Sequence, residues 1–193
     1  MTDADEKVYT VGVIVGSVSE PSLNRRFADA LIALGPDAGL EFRDIPIVHL
    51  PFYGTQYDTA FPDDGWAFKR AVESADGLLI VTPEYNRSIP AVLKNAVDWA
   101  SRPTGKSSLA GKPVAVTGAT KGVISTAVAQ NHLKAILSAL GAPLVGVPEA
   151  YIRVGDEFFD GDGGFANAGT REFLTGFLRQ LHDLIGRWAP GAS

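Results

Sequence analysis

The chain of 193 residues contains no cysteine. Disulfide bonds, thiolate metal sites and cysteine nucleophiles are therefore excluded together, and the composition is compatible with the cytosol. The three histidines, His49, His132 and His182, are scattered, and no carboxylates stand at a spacing that would complete a metal site with them. We therefore predict a protein without a metal ion, and we expect His132, which lies inside a helical pattern, to have a structural role.

Long apolar runs and an excess of positive charge are also absent. No stretch approaches the roughly 20 apolar residues of a membrane span, and residues 1–7 are acidic and polar, unlike a secretion signal. The formal net charge of −5 argues against a broad surface for nucleic acids or anionic membranes, so an anionic ligand would need local donors. We expect a cytoplasmic protein with no nucleic-acid partner.

The residues that are present indicate one α/β domain. A hydrophobic fraction of 46% suits a globular core, and we predict a disordered tail over residues 1–7 and a single domain over residues 8–188. Short apolar runs typical of buried strands alternate with segments of helical spacing. Strands are predicted at 8–15, 40–45, 77–82, 113–117 and 144–147, and helices at 23–34, 65–74, 90–101, 125–140 and 170–188.

This alternation predicts a doubly wound, five-stranded parallel sheet in three α/β/α layers, with right-handed crossovers. Ser22 is the expected N-cap of the first helix, and Asp63 or Asp64 that of the second. Pro90 is expected in the first turn of the third helix, and Gly141 just after the end of the fourth. In the strand order 2-1-3-4-5, the loops after strands one, three and four meet at the topological switch point, where such sheets bind ligands.

The first of these loops gathers hydroxyl groups at the start of a helix. Gly16, Ser17, Ser19, Ser22 and Asn24 stand there, and a helix N-terminus with free N–H groups suits a phosphate. No Gly-Lys-Ser/Thr follows, as a P-loop requires, and a Gly-x-Gly-x-x-Gly fingerprint is absent because its later positions hold other residues. A monophosphate therefore fits better than a dinucleotide. The alternative is a serine-capped helix after a flexible loop.

The second loop, Pro83 to Pro90, follows a strand whose residues are all apolar. Between the two prolines stand an acid, an aromatic, an amide, a cation and a hydroxyl: Glu84, Tyr85, Asn86, Arg87 and Ser88. An aromatic and an amide held by stiff prolines can form a wall against a flat ring, and the stiffness lowers the entropy lost on binding. The alternative is a buried tyrosine with a turn asparagine, but polar loop residues at a switch point favour binding.

The third loop, Gly118-Ala119-Thr120-Lys121-Gly122, is expected to expose consecutive backbone N–H groups, because glycine permits close approach of the backbone to a ligand. Lys121 adds one positive charge. Considered alone, the segment is better explained as a turn between a strand and a helix.

With these loops in view, the chain resembles the NAD(P)H-dependent FMN reductases, flavodoxin-like proteins that include quinone, chromate and azo-dye reductases. The resemblance covers about residues 8–185. The run from Pro83 to Trp99 is highly specific for the family, whereas the glycine loops alone are not. The matching residues are Gly16-Ser17, Ser22 with Asn24, Pro83 to Asn86, Ser88 to Pro90, Leu93 to Trp99 and Gly111 to Pro113.

The resemblance implies a complete FMN site. Ser17, Ser22 and Asn24 would hold the phosphate, Pro83 to Asn86 would line the isoalloxazine, and Gly118 to Gly122 would reach its pyrimidine end. No side chain is assigned a catalytic role, and Tyr85 and Asn86 position the ring. The full implied set is Gly16, Ser17, Ser19, Ser22, Leu23, Asn24, Pro83, Glu84, Tyr85, Asn86, Arg87, Ser88, Gly118, Ala119, Lys121 and Gly122.

One residue departs from the family pattern. Relatives often carry arginine where this chain has Ser19, so the phosphate would lack its usual cation. Arg25, Arg26 and Arg87 are the residues that could replace that charge.

The implied activity is that of an NAD(P)H-dependent FMN or quinone reductase, which passes hydride from NAD(P)H through bound FMN to a quinone or similar acceptor. Free FMN, chromate and azo compounds are further acceptors of the family, and NADPH is the donor it favours. Backbone donors of the third loop, with Lys121, would stabilise the reduced flavin. The family also implies a homodimer or homotetramer, in which Glu149 and Tyr151 could line an interface.

Two other functions fit the same fold, since fold does not fix function. A flavodoxin-like electron carrier would hold FMN without a site for a hydride donor, and a binding module would hold no flavin. The Tyr85–Asn86 pair and the lack of a long acidic face disfavour the carrier. A phosphorylation receiver domain is disfavoured because the first loop lacks the expected pair of acids.

Overall fold

A single parallel sheet of order β2-β1-β3-β4-β5 confirms the predicted topology. The computed structural model describes residues 7–188, so the predicted tail lies outside the described residues except for Lys7. The strands are β1 (Tyr9–Val15), β2 (Leu40–Asp44), β3 (Gly77–Val81), β4 (Val114–Thr120) and β5 (Tyr151–Arg153). The helices are α1 (Leu23–Ala33), α2 (Asp63–Glu73), α3 (Ala91–Ala100), α4 (Ala127–Ala139) and α5 (Ala168–Trp188).

The central strand β3 shows how the three layers form. All five of its residues are buried, and successive side chains point to opposite faces of the sheet. Leu79 and Val81 pack with α1 and α5, whereas Leu78 and Ile80 pack with α2, α3 and α4. A strand that is covered on both faces needs a continuous apolar sequence, which is what this segment has.

The predicted position of the fifth strand is wrong. In the segment 144–147, Leu144 forms an isolated bridge with Val114, and the N–H of Val145 donates to the Val114 carbonyl over 3.0 Å. The strand that pairs with β4 is Tyr151–Arg153, which lies beside Gly118–Thr120. The backbone bends at Val147 and Pro148, between the two runs.

Strand β4 is also longer than predicted, because Gly118–Thr120 continue it. A Cβ atom on Gly118 would lie 1.9 Å from the Thr82 carbonyl oxygen, so glycine is needed there for the close approach of β3 and β4. Gly118 and Ala119 therefore belong to the sheet and not to the third loop, contrary to the prediction.

Two of the expected helix ends are confirmed. The Ser22 hydroxyl accepts the N–H of Arg25 over 3.1 Å and caps α1. Gly141 has φ +78° after α4, and the N–H of Ala142 donates to the Leu137 carbonyl over 3.0 Å, which is the Schellman arrangement. Both signals are local in the sequence.

The other two expected ends are shifted. Asp63 and Asp64 lie within the first turn of α2, where their charges complement the helix dipole, and the N-cap is Pro62 without a side-chain hydrogen bond. Pro90 is the N-cap of α3 and not its first helical residue.

The long segment after β2 is fastened to α3, the helix that follows the second loop. Asn95 accepts the N–H of Tyr53 over 2.8 Å and donates to the Pro51 carbonyl over 3.0 Å. The indole N–H of Trp99, a fully buried residue, donates to the same carbonyl over 2.7 Å. These contacts give α3 a fixed position beneath the second loop.

Lys69 is a buried lysine that fixes the turn after α3. Its Nζ donates to the carbonyls of Lys106 (2.7 Å) and Ala100 (3.2 Å) and to Ser108 Oγ (2.6 Å). Burial lowers the pKa of Lys69, and the neighbouring Glu73 carboxylate opposes that shift. Because all three N–H groups are engaged, the cluster holds the fold together and offers no free nucleophile.

Two negative findings apply to residues 7–188. No helix there is both long and apolar enough to cross a membrane. Nor does this part of the chain bring three or more histidine, aspartate or glutamate side chains together in a way that could hold a metal ion.

Candidate functional site

The ends of β1, β3 and β4 lie side by side, as the sheet order requires. The N–H of Gly16 donates to the Val81 carbonyl over 2.8 Å, and the N–H of Thr82 donates to the Thr117 carbonyl over 2.9 Å. Two cavities open at this edge. The first, of about 630 Å³, lies between residues 17–22 and residues 44–48. The second, of about 610 Å³, lies between the second loop and residues 120–125.

The first loop presents unpaired donors at the start of α1. Within residues 7–188, the N–H groups of Ser17, Val18, Leu23 and Asn24 donate to no other group. The hydroxyls of Ser17, Ser19 and Ser22 line the first cavity beside them. Free N–H groups and hydroxyls at a helix N-terminus are the donor set that a phosphate requires.

Asn24 connects the first loop to the sheet. Its side chain is only 3% exposed; Nδ2 donates to the Ala119 carbonyl over 3.0 Å, and Oδ1 accepts the Ala119 N–H over 2.9 Å. Both polar atoms of the side chain are thus bonded to β4, and the N–H of Ala119 is not free for a ligand. That Asn24 contacts a phosphate through its side chain stays a prediction.

The three arginines considered for the phosphate differ in their surroundings. Arg25 is held by two carboxylates, with Nη1 2.7 Å from Asp44 and Nε 2.9 Å from Asp29. The guanidinium of Arg87 pairs with a carboxylate of the second loop. Arg26 lines the first cavity, and its guanidinium lies 4.1 Å from the centre of the Phe159 ring. Among the three, Arg26 makes no ion pair within residues 7–188.

The second loop contains a two-residue β-hairpin that sequence reasoning missed. Tyr85 and Ser88 exchange two backbone hydrogen bonds of 2.9 Å each. The residues between them, Asn86 and Arg87, have φ +49° and +64°, as a type I′ turn requires. The turn asparagine of the alternative is therefore confirmed, whereas arginine at the second turn position concealed the hairpin.

Tyr85 lies at the surface between two loops. Its side chain is 40% exposed, so the alternative of a buried tyrosine is wrong. The Tyr85 hydroxyl is 3.1 Å from the Ser19 hydroxyl of the first loop. The second loop is also linked to α4, because the Ser88 hydroxyl lies 3.1 Å from Nδ1 of His132 on that helix.

Glu84 caps the N-terminus of α4 although it is distant from that helix in the sequence. Its side chain is 8% exposed, and Oε2 accepts the N–H groups of Val128 (3.0 Å) and Ala129 (3.1 Å) in the first turn of that helix. Its other oxygen, Oε1, pairs with Arg87 Nη1 over 3.1 Å. The helix needs this external carboxylate because its own N-cap, Thr126, makes no side-chain capping bond.

The third loop begins later than predicted, at Lys121. Lys121 and Gly122 are exposed, and the second cavity is lined by Thr120 and by residues 122–125. Ser125 has φ +57°, so the chain bends sharply just before α4. Of the predicted residues in this group, Gly122 faces the cavity, and Lys121 adds a positive charge at the start of the loop.

A second ionic cluster joins α4 to the end of the sheet. Lys134 Nζ is 3.1 Å from Glu149, and the Tyr151 hydroxyl donates to the same carboxylate over 2.5 Å. Burial and this hydrogen bond raise the pKa of Tyr151 to about 12. Hydrogen bonds from Tyr151 and Lys134 lower the pKa of Glu149. The Glu149 carboxylate is balanced by Lys134, so the cluster has no net charge.

The comparisons with known proteins agree with this geometry. The model of the NADPH-dependent FMN reductase family matches residues 9–156. A 2-hydroxy-1,4-benzoquinone reductase of a Burkholderia species is 46% identical over 169 residues, which cover 87% of this chain and 91% of the relative. A quinone reductase of Escherichia coli K12 is 38% identical over 186 residues, which cover 94% of this chain and 97% of the relative.

Replacing Glu84 by glutamine tests the capping role. The amide keeps one acceptor oxygen but loses the charge that faces the helix N-terminus and Arg87, so we expect unfolding free energy to fall by about 1–2 kcal/mol. Urea denaturation measures the change. Glu157→Gln, at an exposed position, serves as the control and should stay within about 0.5 kcal/mol of the unsubstituted protein. Equal effects of the two substitutions would contradict the role.

Solved structures of related proteins agree with the family match. FerB, a flavoenzyme NAD(P)H:(acceptor) oxidoreductase from Paracoccus denitrificans, matches with a TM-score of 0.88 and 40% identity, covering 93% of this chain and 98% of FerB. A flavodoxin from Pseudomonas aeruginosa, with a TM-score of 0.59 and 18% identity, shares the fold. The family model, the curated relatives and the FerB structure agree with the loops described above, and the chain belongs to the NADPH-dependent FMN reductase family of flavodoxin-like enzymes.

Proposed function

We propose that this protein takes hydride from NAD(P)H and, through bound FMN, reduces quinones or related acceptors. The observation that carries the proposal is a pair of cavities at the same edge of the sheet, one lined by hydrogen-bond donors that suit a phosphate and the other large enough for a ring system. The names of the relatives support quinones as the acceptor class. The absence of cysteine supports a cytoplasmic location, which cell fractionation would test.

The residues present fit FMN. We propose that the phosphate is held by the free N–H groups at the start of α1 with the Ser17, Ser19 and Ser22 hydroxyls, and that the ring lies against Tyr85, Asn86 and Gly122. When bound, FMN accepts hydride from NAD(P)H and passes two electrons to the acceptor. Eight further residues of the predicted site would hold these contacting groups in position: Gly16, Leu23, Asn24, Pro83, Glu84, Ser88, Gly118 and Ala119.

The chain positions the reactants and supplies charge, but it offers no dedicated acid. Glu84 is the carboxylate nearest to the second cavity, yet it is nearly buried and already accepts two N–H groups. Protons would therefore come from solvent. Lys121, exposed at the third loop, favours negative charge on a bound ring.

Anaerobic rapid mixing tests the activity. Protein loaded with FMN is mixed with NADPH and, in parallel, with NADH, and we expect the flavin absorbance at about 450 nm to disappear with at least one donor. Addition of 1,4-benzoquinone should then restore it. If the protein binds FMN but neither donor bleaches it, the protein is an electron carrier; if it binds no FMN, it is a flavin-free module.

Arg26 is proposed as the cation of the phosphate site, because Arg25 is held by two carboxylates and Arg87 lines the second cavity and not the first. Arg26→Gln should weaken FMN binding about fivefold, the equivalent of about 1 kcal/mol for an exposed ion pair. Riboflavin lacks the phosphate, so its affinity should not change. Flavin fluorescence titration measures both dissociation constants.

Arg70→Gln is the matched control, since it removes the same charge from an exposed position on α2. It should leave both dissociation constants unchanged. A loss of riboflavin affinity equal to the loss of FMN affinity in the Arg26 variant would mean that Arg26 shapes the site without meeting the phosphate.

We also propose a homo-oligomer. Val123, at the edge of the second cavity, is 79% exposed, Ile124 beside it is 50% exposed, and Val147 is 76% exposed. Apolar side chains so exposed are typical of association surfaces when they lie together. Contact between copies there would also shield the cavity from solvent.

Sedimentation velocity at micromolar concentration tests this association. The unsubstituted protein should sediment as a dimer or tetramer, and Val123→Asp should shift it toward monomer because a charge would be buried at the contact. Val8→Asp, a control at another exposed valine, should not change the sedimentation coefficient. A monomeric unsubstituted protein would refute the proposal.

A further inference from the structure

Arg87 occupies a backbone conformation that suits glycine. Its φ is +64°, and among the non-glycine residues in the range 7–188 only Asn86 and Ser125 also have a positive φ. For an L-residue this conformation costs roughly 1–2 kcal/mol. Asn-Gly would form the same turn without that cost. Strain kept at the tip of a turn beside a cavity indicates that the side chain has a function.

The charge of Arg87 stands at the rim of the second cavity. Its side chain is 63% exposed and lines the cavity with Asn86, Thr120 and Gly122. One nitrogen, Nη1, pairs with Glu84, and the other guanidinium nitrogens make no hydrogen bond within residues 7–188. The guanidinium therefore has N–H groups left to hold an anion that enters the cavity.

Pairing with Glu84 does not by itself explain why arginine is there. Oε2 of that carboxylate accepts the N–H groups of Val128 and Ala129 at the positive end of α4, so its charge is stabilised without Arg87. Removal of Arg87 would leave those two hydrogen bonds in place. The guanidinium thus adds positive charge at the mouth of the cavity beyond what the fold requires.

We propose that Arg87 is a specificity-determining residue that favours quinones bearing an anionic group beside the reducible ring. The inference rests on the proposed function and names the acceptor class of the same site. The acceptor gains two electrons and two protons. The hydride of NAD(P)H, which becomes NAD(P)⁺, accounts for both electrons and one proton, and the second proton comes from solvent. Arg87 transfers none of these and acts by holding the anion.

Steady-state kinetics with two acceptors tests the assignment. The probes are 1,4-naphthoquinone, which is neutral, and 1,4-naphthoquinone-2-sulfonate, which is anionic at all working pH values. Arg87→Gly keeps the left-handed turn but removes the charge. It should lower kcat/KM for the sulfonate about three- to fivefold more than kcat/KM for the neutral quinone, in line with one exposed charge contact.

Further variants and conditions separate charge from structure. Arg87→Lys should restore much of the affinity for the sulfonate, and Arg87→Asn, which also tolerates the left-handed region, repeats the test if the glycine variant fails to fold. Added salt should erase the preference of the unsubstituted enzyme for the anionic acceptor and should not affect the glycine variant. Arg70→Gln, which removes a remote charge, should behave like the unsubstituted enzyme.

The outcomes distinguish this inference from the proposed function. Equal changes in kcat/KM for both quinones, or a change confined to NADPH, would overturn the role of Arg87 while leaving the reductase activity established. Failure of the unsubstituted, FMN-loaded protein to reduce either quinone with NADPH or NADH would overturn the proposed function, and the role of Arg87 with it.

Discussion

The carboxylate of Glu84 is the contact on which the shape of the site depends. It comes from the second loop, lies almost buried, and accepts two N–H groups at the start of α4. A helix N-terminus that lacks its own side-chain cap would otherwise leave these donors without a protein partner. One charged group thus fixes the distance between the second loop and α4, and with it the width of the second cavity.

Two further contacts tie the first loop to its neighbours. Asn24 joins the start of α1 to Ala119 on β4, and the Ser19 hydroxyl lies 3.1 Å from the Tyr85 hydroxyl of the second loop. Because the first loop is held by polar contacts to β4 and to the second loop, a substitution in one of these segments changes the support of the others. The effects of neighbouring substitutions should therefore not be additive.

Individual arginines supply the positive charge at this edge of the sheet. The net charge of −5 does not attract anions, so a site for an anion needs such local charges. Arg25 is bound by Asp29 and Asp44 and serves to hold α1 against the end of β2. Arg26 faces the first cavity and Arg87 the second. Arg25 also lines the first cavity but is held by two carboxylates, so we propose that Arg26 serves a phosphate there and that Arg87 serves an anionic acceptor in the second cavity.

The sequence alone determined most of the strands and helices and the family motif, because hydrophobic spacing, caps such as Ser22 and Gly141, and loop composition are local properties; the strand order followed from the fold class that this alternation implies. It did not locate β5, since Leu144–Val147 and Tyr151–Arg153 are similar short runs and only pairing with β4 separates them. The partners of Glu84 and Asn24 lie 44 and 95 residues away, beyond the reach of any local pattern. Only the tertiary structure decided which arginines are paired and which cavity each one faces, because the carboxylates and loops that set their surroundings come from different elements.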